Sequence, residues 1–264
     1  MTAAAGTVIV NADDFGMNSA VNRAVVYCFQ QGLISSTTML VNLEGFEEAC
    51  AFAREHGLED RIGIHINLTE GRPLVPELSD NPSLCDSAGN FRRQRTRVLR
   101  PRDQQQVAAE IAAQIDRCRS RGLSLTHADS HQHVHNEPWL FPVFRRALKR
   151  AGIPFLRISR TIPEGGRWSA LKTCGKAAFN GWLQLSGLRC TQQFVSVGTF
   201  EQMRASGRWQ KSSWEIITHP AFDDQGVLVD HVENQLLETR LMRVFNGIRL
   251  ASFAEAGRSR RSEG

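Results

Sequence analysis

Short apolar runs rich in Val and Ile alternate along this chain with segments whose apolar residues recur at helical spacing. Residues 7–11, 36–41, 62–68, 123–128, 155–158 and 214–218 read as strands. Val21, Ala24, Val25, Cys28 and Phe29 define one helix face, with Asn18 or Ser19 as its cap and Gly32 as its stop. Phe46, Ala49, Cys50 and Ala53 mark a second helix, and Val107, Ile111, Ile115 and Cys118 a third. Further helices are expected from Pro138 to Gly152, from 168 to 185 and from 232 to 245. Strand-helix-strand alternation of this kind packs as a parallel sheet covered by helices. The 264 residues, 41% hydrophobic, suffice for one large core. One domain is expected over residues 1–254, followed by a flexible tail over 255–264. The alternation lapses from 69 to 102, where Pro73, Pro76, Pro82 and Pro101 point to a long lid or binding loop. Residues 187–207 carry no clear pattern.

Composition excludes several function classes. The net charge of +5 includes an arginine-rich run, Arg92, Arg93, Arg95 and Arg97, and a basic tail with Arg258, Arg260 and Arg261. These are scattered patches without interleaved aromatics, so no nucleic-acid partner is expected. The six cysteines form no CxxC pair, and Cys28, Cys50 and Cys118 sit on helical apolar stripes. This points to a reducing compartment rather than a disulfide scaffold. No signal-peptide pattern and no bilayer-length apolar run occurs, so a cytoplasmic location without an integral membrane segment is expected. A homodimer is left open.

Chemically capable residues collect where strands end, the edge at which parallel α/β folds build their sites. The first strand stops at Asp13-Asp14, and Phe15-Gly16 turns the chain. Alternation should send the two carboxylates to opposite faces. Both reach one pocket only if the strand breaks there, which Gly16 permits. One would then be a metal ligand and the other a general base; the plainer alternative is a strand-end Asp capping the next helix. His65 lies late in the third strand, and His219 ends a late one. After the fourth strand comes His127-Ala128-Asp129-Ser130-His131-Gln132-His133-Val134-His135, holding four of the eight histidines. If extended, it puts His127, Asp129, His131 and His133 on one side. Four imidazoles beside a carboxylate favour a metal site, though one strand cannot supply all four ligands. An Asp/His/His set leaves coordination positions open for water and substrate, as in a hydrolytic centre. A free carboxylate takes the water's proton, and His219 is placed to protonate a leaving amine. The residues alone do not choose between Asp13 and Asp14, or among His127, His131 and His133.

Five stretches, in order, resemble the motifs of the YdjC-like (ChbG) carbohydrate deacetylases: residues 11–16, 36–42, 63–71, 126–135 and 218–220. The resemblance covers residues 7 to 250. It implies an α/β fold, an irregular (β/α) TIM-like barrel of parallel strands with outer helices. It also implies one divalent metal ion, Mg2+ or Zn2+, and removal of acetyl from an N-acetylated sugar substrate such as a chitooligosaccharide. By position it assigns Asp14, His65 and His131 to the metal, Asp13 as base and His219 as acid. Asn42, Asn67 and Glu70 fall in its motifs as substrate-binding candidates. Two imidazoles favour zinc, while magnesium prefers all-oxygen sites. Residues 190–194 depart from the family's substrate segment. Rival readings are a lipid-linked, hopanoid-type amino sugar as substrate, a metal phosphoesterase, and a sugar-binding protein without turnover.

Overall fold

A computed structural model describes residues 2–93, 100–165 and 167–258. Arg95 and Arg97 of the arginine-rich run, and Arg260 and Arg261 of the tail, lie outside the described residues. The helices are α1 (Ser19–Gln30), α2 (Phe46–Glu55), α3 (Pro101–Ser120), α4 (Phe141–Arg150), α5 (Ala170–Leu185), α6 (Val197–Ala205), α7 (Glu238–Phe245) and α8 (Phe253–Arg258). The strands are β1 (Val8–Phe15), β2 (Ser36–Met39), β3 (Ile62–Ile66), β4 (His127–Ser130), β5 (Phe155–Leu156), β6 (Gln193–Ser196), β7 (Trp214–Thr218), β8 (Pro220–Phe222), β9 (Leu228–Asp230) and β10 (Gln235–Leu236).

Seven parallel strands, ordered β5-β4-β3-β2-β1-β7-β6, form a curled half-barrel with helices around it. The two edges approach each other. Leu156 N–H donates to Arg189 O at 2.9 Å, and Thr161 N–H to Phe194 O at 3.1 Å. Val, Ile and Phe side chains between sheet and helices form a large core, and Ala3, Ile9, Phe155, Phe253 and Ala256 form a smaller separate cluster. The α1 start is Asn18, whose side chain accepts from Val21 N–H at 3.0 Å.

Three differences from the sequence reading matter for the site. β1 runs on to Phe15, four residues beyond the expected end. The first half of the expected 232–245 helix is instead a turn followed by β10 (Gln235–Leu236), the edge strand of a small antiparallel sheet, β10-β9-β8. An Asp223 turn seeds it: Asp223 Oδ1 accepts from the N–H groups of Gln225 and Val227, and Gly226 adopts φ +76°. The tail boundary also moves, because residues Phe253–Arg258 form α8. Phe253 and Ala256 of that helix are buried, and the Phe253 ring stacks on His127 at 3.8 Å.

Candidate active site

A β-bulge builds the centre of the site. Ala12 pairs with Thr37 and Phe15 with Met39, so one extra β1 residue is accommodated between them. Asp14 takes it up in the left-handed region, at φ +69°. This strained backbone breaks the alternation, and Asp13 and Asp14 both become members of one buried polar cluster. The following turn is held from behind: buried Asn22 accepts from Gly16 N–H at 2.7 Å and donates to Gly45 O at 2.9 Å. Gly16 is required there, since its φ is +95° and a Cβ would sit 2.4 Å from Leu40 O.

Asp14, His65 and His131 offer donor atoms that all lie within 4.8 Å of one another. Asp14 Oδ1 is 3.2 Å from His65 Nε2 and 3.1 Å from His131 Nδ1. Ligands about 2.0–2.1 Å from one cation stand roughly 3 Å apart, so this donor set fits a divalent metal. Each imidazole is oriented from its other nitrogen. His65 Nδ1 meets Asp129 Oδ1 at 2.6 Å, and His131 Nε2 meets Glu70 Oε2 at 3.2 Å. Carboxylates placed this way fix ring and tautomer in metal sites. Burial alone would depress both imidazoles; Asp129 and Asp14 hold His65, and Asp14 and Glu70 hold His131, above the ordinary value. Burial would raise Asp14, but its contacts with His131, His231 and His65 keep it well below the usual carboxylate range.

Asp13 faces a different partner. Arg157, itself 1% exposed, grips it with two parallel bonds, Nη1 to Oδ2 at 2.6 Å and Nη2 to Oδ1 at 2.7 Å. The same guanidinium reaches Asp129 Oδ2 at 2.7 Å and also Glu215 Oε1, and it stacks over Phe194. Burial would raise the Asp13 carboxyl, yet Arg157 keeps it far below the usual range. Glu215 is the opposite case. Burial outweighs Arg157, its Oε2 has no hydrogen-bond partner, and it is pushed up to about 7.

His219 Nδ1 stands 3.5 Å from Asp230 Oδ1, an ion-pair separation longer than a good hydrogen bond. Asp230 Oδ2 accepts the His219 backbone N–H at 2.8 Å. Burial would depress His219, but Asp230, Asp13 and Asp14 together raise it. His231 follows Asp230 and brings Nε2 to 3.5 Å from Asp14 Oδ2.

The remaining histidines divide by backbone geometry. β4 ends at Ser130, and Gln132 and His133 adopt positive φ, so the run does not stay extended. His131 alone of this run reaches Asp14. His127 Nε2–H donates to Asn11 Oδ1, 2.9 Å away, and burial holds the imidazole well below its ordinary value. Burial and Arg157 push His133 down to about 3, and its ring meets Phe194 edge-on. His135 shares a hydrogen with Ser130 Oγ. Asn67 Oδ1 accepts from Thr69 and Glu70 N–H, while Asn42 donates to Glu70 O and Arg72 O. The two asparagines thus tie down the turn that presents Glu70, and Asn67 Nδ2 donates to Asn42 Oδ1 at 3.0 Å.

The sequence reading missed Arg157, Glu215, Asp230 and His231. A charged residue inside an apolar strand is a signal of a buried ion pair, and Arg157 and Glu215 each interrupt one. Asp230 and His231 lie just before the helix expected from 232, in a stretch with no apolar period to mark it.

The model of a family described as YdjC-like protein matches residues 7–253. A carbohydrate deacetylase of Brevibacillus brevis is 32% identical over 262 residues, covering 95% of this chain and 99% of its own. A chitooligosaccharide deacetylase of Proteus mirabilis is 32% identical over 226 residues, with 84% of each chain covered. The crystal structure of an Enterococcus faecalis protein superposes with TM-score 0.70 at 26% identity, covering 95% of this chain and 98% of that one.

Proposed function

The chain belongs to the YdjC-like family, and from that membership and the geometry of the site we propose a metal-dependent hydrolase that removes acetyl from an N-acetylated amino sugar, a chitooligosaccharide or related glycoconjugate. The observation that carries this reading is the bulge at Asp14, which sets a metal-type Asp/His/His cluster beside a second, arginine-bound carboxylate.

Asp14, His65 and His131 would hold a divalent cation, zinc or magnesium; bound there, such an ion polarises the acetyl carbonyl and acidifies a water. Asp13 is the base. Arg157 keeps it ionised and fixes its direction, and the accepting capacity left on Oδ2 takes the proton of the attacking water. As the water oxygen bonds to the acetyl carbon, the amide C–N bond breaks. His219 gives its proton to the departing nitrogen, and Asp230, 3.5 Å from its Nδ1, favours the protonated imidazole. Asp129 and Glu70 act through the histidines they orient. Asn42 and Asn67 shape the sugar side of the site by fixing the Glu70 turn.

The test is acetate release from a panel of N-acetylated sugars, with and without EDTA, alongside metal content by atomic emission. Chelation should abolish release, and added metal should restore it. His131→Ala should lose both retained metal and turnover. Full activity in that variant, or chelator-insensitive release, would sink the assignment.

A further inference from the structure

Helix α5 is apolar on both sides. Its inner side packs Phe179 against Phe141 at 5.5 Å and buries Leu183 and Asn180. Its outer side exposes Leu171 (86%), Trp182 (43%) and Leu185 (88%), together with Cys174 and Ala178. At 100° per residue these five positions project within about 80° of one another, a stripe roughly 21 Å long. Three of the seven large hydrophobics that the described residues expose lie on this one helix.

Charge is polarised around the same stripe. Residues 138–200 carry ten Lys and Arg against one acid, Glu164; Arg157 is buried in the site, while Arg146, Lys149, Arg150, Arg167 and Lys172 are exposed. The rest of the chain, with 22 basic and 26 acidic residues, is net negative. Arg145 and Lys149 border the C-terminal end of α5: Arg145 donates to Ser186 O at 2.8 Å, and Lys149 Nζ would lie 2.6 Å from a Cβ at Gly187. Exposed Arg167 and Lys172 border its start.

We propose that the outer face of α5 docks this protein on an anionic bilayer surface. An exposed Leu/Trp stripe rimmed by Lys and Arg is the composition of an interfacial helix. The 16 residues of α5 fall short of the roughly 20 needed to span, so the stripe lies in the headgroup boundary. A second copy fits less well. An isologous contact would set two cationic rims together, and a stripe of this length falls short of the roughly 800 Å² per partner of a stable interface. The inner side of α5 lends Gly175, Lys176 and Phe179 to a cleft of about 560 Å³ that also touches His133 and Phe194. Docking through the outer face would leave that cleft on the far side of α5 from the bilayer.

The experiment is co-sedimentation with phosphatidylglycerol-rich and with pure phosphatidylcholine vesicles, using wild type and Leu171→Glu/Leu185→Glu. Neither residue touches the site, so the variant should retain wild-type circular dichroism. Wild type should bind the anionic vesicles at least about tenfold more strongly than the neutral ones, and added salt should weaken it. The double variant should lose that binding. An environment-sensitive dye on exposed Cys174 should blue-shift on anionic vesicles. Failure of wild type to bind anionic vesicles overturns the proposal, as does unchanged binding by the variant. So does a solution dimer that the variant converts to monomer without any vesicle binding. Binding is read without substrate, so this outcome is separate from that of the deacetylase reading.

Discussion

Replacing Arg157 by Met removes the one cation at the centre of a buried acidic group. Three carboxylates lose it: Asp13, at 2.6 and 2.7 Å, Asp129 at 2.7 Å, and Glu215. They do not lose equally. Asp129 keeps His65 at 2.6 Å. Glu215, pushed up to about 7, neutralises near physiological pH. Asp13 is left almost uncompensated, with Asn11 Nδ2 at 2.8 Å as its remaining close donor. The magnitude is therefore that of one broken buried pair, about 3–5 kcal/mol, not three times that. Total stabilities are about 5–15 kcal/mol, so the variant sits near the threshold, with Tm lowered by roughly 6–20 °C. The pH dependence follows from the sign. In the wild type the Asp13 carboxyl is depressed on folding, so its contribution is present above the unfolded value and is lost in acid. Without Arg157 burial raises it instead, a penalty that grows as pH rises and relaxes when the carboxyl protonates. Urea unfolding of both proteins at about pH 8 and about pH 5.5 reads this directly, and the deficit should shrink at the lower pH. A deficit below about 1 kcal/mol that is equal at both pH values would refute the account of Arg157 as the charge that stabilises Asp13.

Two further outcomes are expected. Asp230→Asn removes the carboxylate that raises His219, so the imidazole should deprotonate earlier and the alkaline limb of the kcat profile should move to lower pH; an unmoved limb in folded protein argues against His219 as the acid. Of the six free cysteines only Cys174 is exposed, and burial pushes Cys28 up to about 12 and Cys50, Cys85 and Cys190 up to about 11. A thiol reagent should therefore titrate one rapid equivalent in the native protein and all six in denaturant; two or more rapid equivalents would contradict the buried packing.

Much of the architecture was legible along the chain because hydrophobic period reports which side of an element is buried. β7 at Trp214–Thr218 and α1 with its Asn18 cap follow from that pattern. Strands whose inward positions are polar were harder. The sequence pattern places a strand over 123–128, but the ladder of β4 runs through His127, Ala128, Asp129 and Ser130. Its inward side faces Arg157 and His65 rather than apolar side chains, so a hydrophobicity pattern slides off it. Residue types at strand ends point to a cluster of acids and imidazoles but leave Asp13 or Asp14, and His127, His131 or His133, open; the family resemblance names Asp14, His65 and His131, whose donor atoms lie within 4.8 Å of one another. Only the folded chain decided which side each faced. A single left-handed residue at Asp14 turned an alternating pair of carboxylates into neighbours, and two at Gln132 and His133 left one imidazole of that run at the cluster. Backbone torsion at one residue leaves no periodicity to read. The same is true of partners distant in sequence: Asp13 and Arg157 stand 144 residues apart and meet at 2.6 Å because β1 and β5 curl toward one barrel interior.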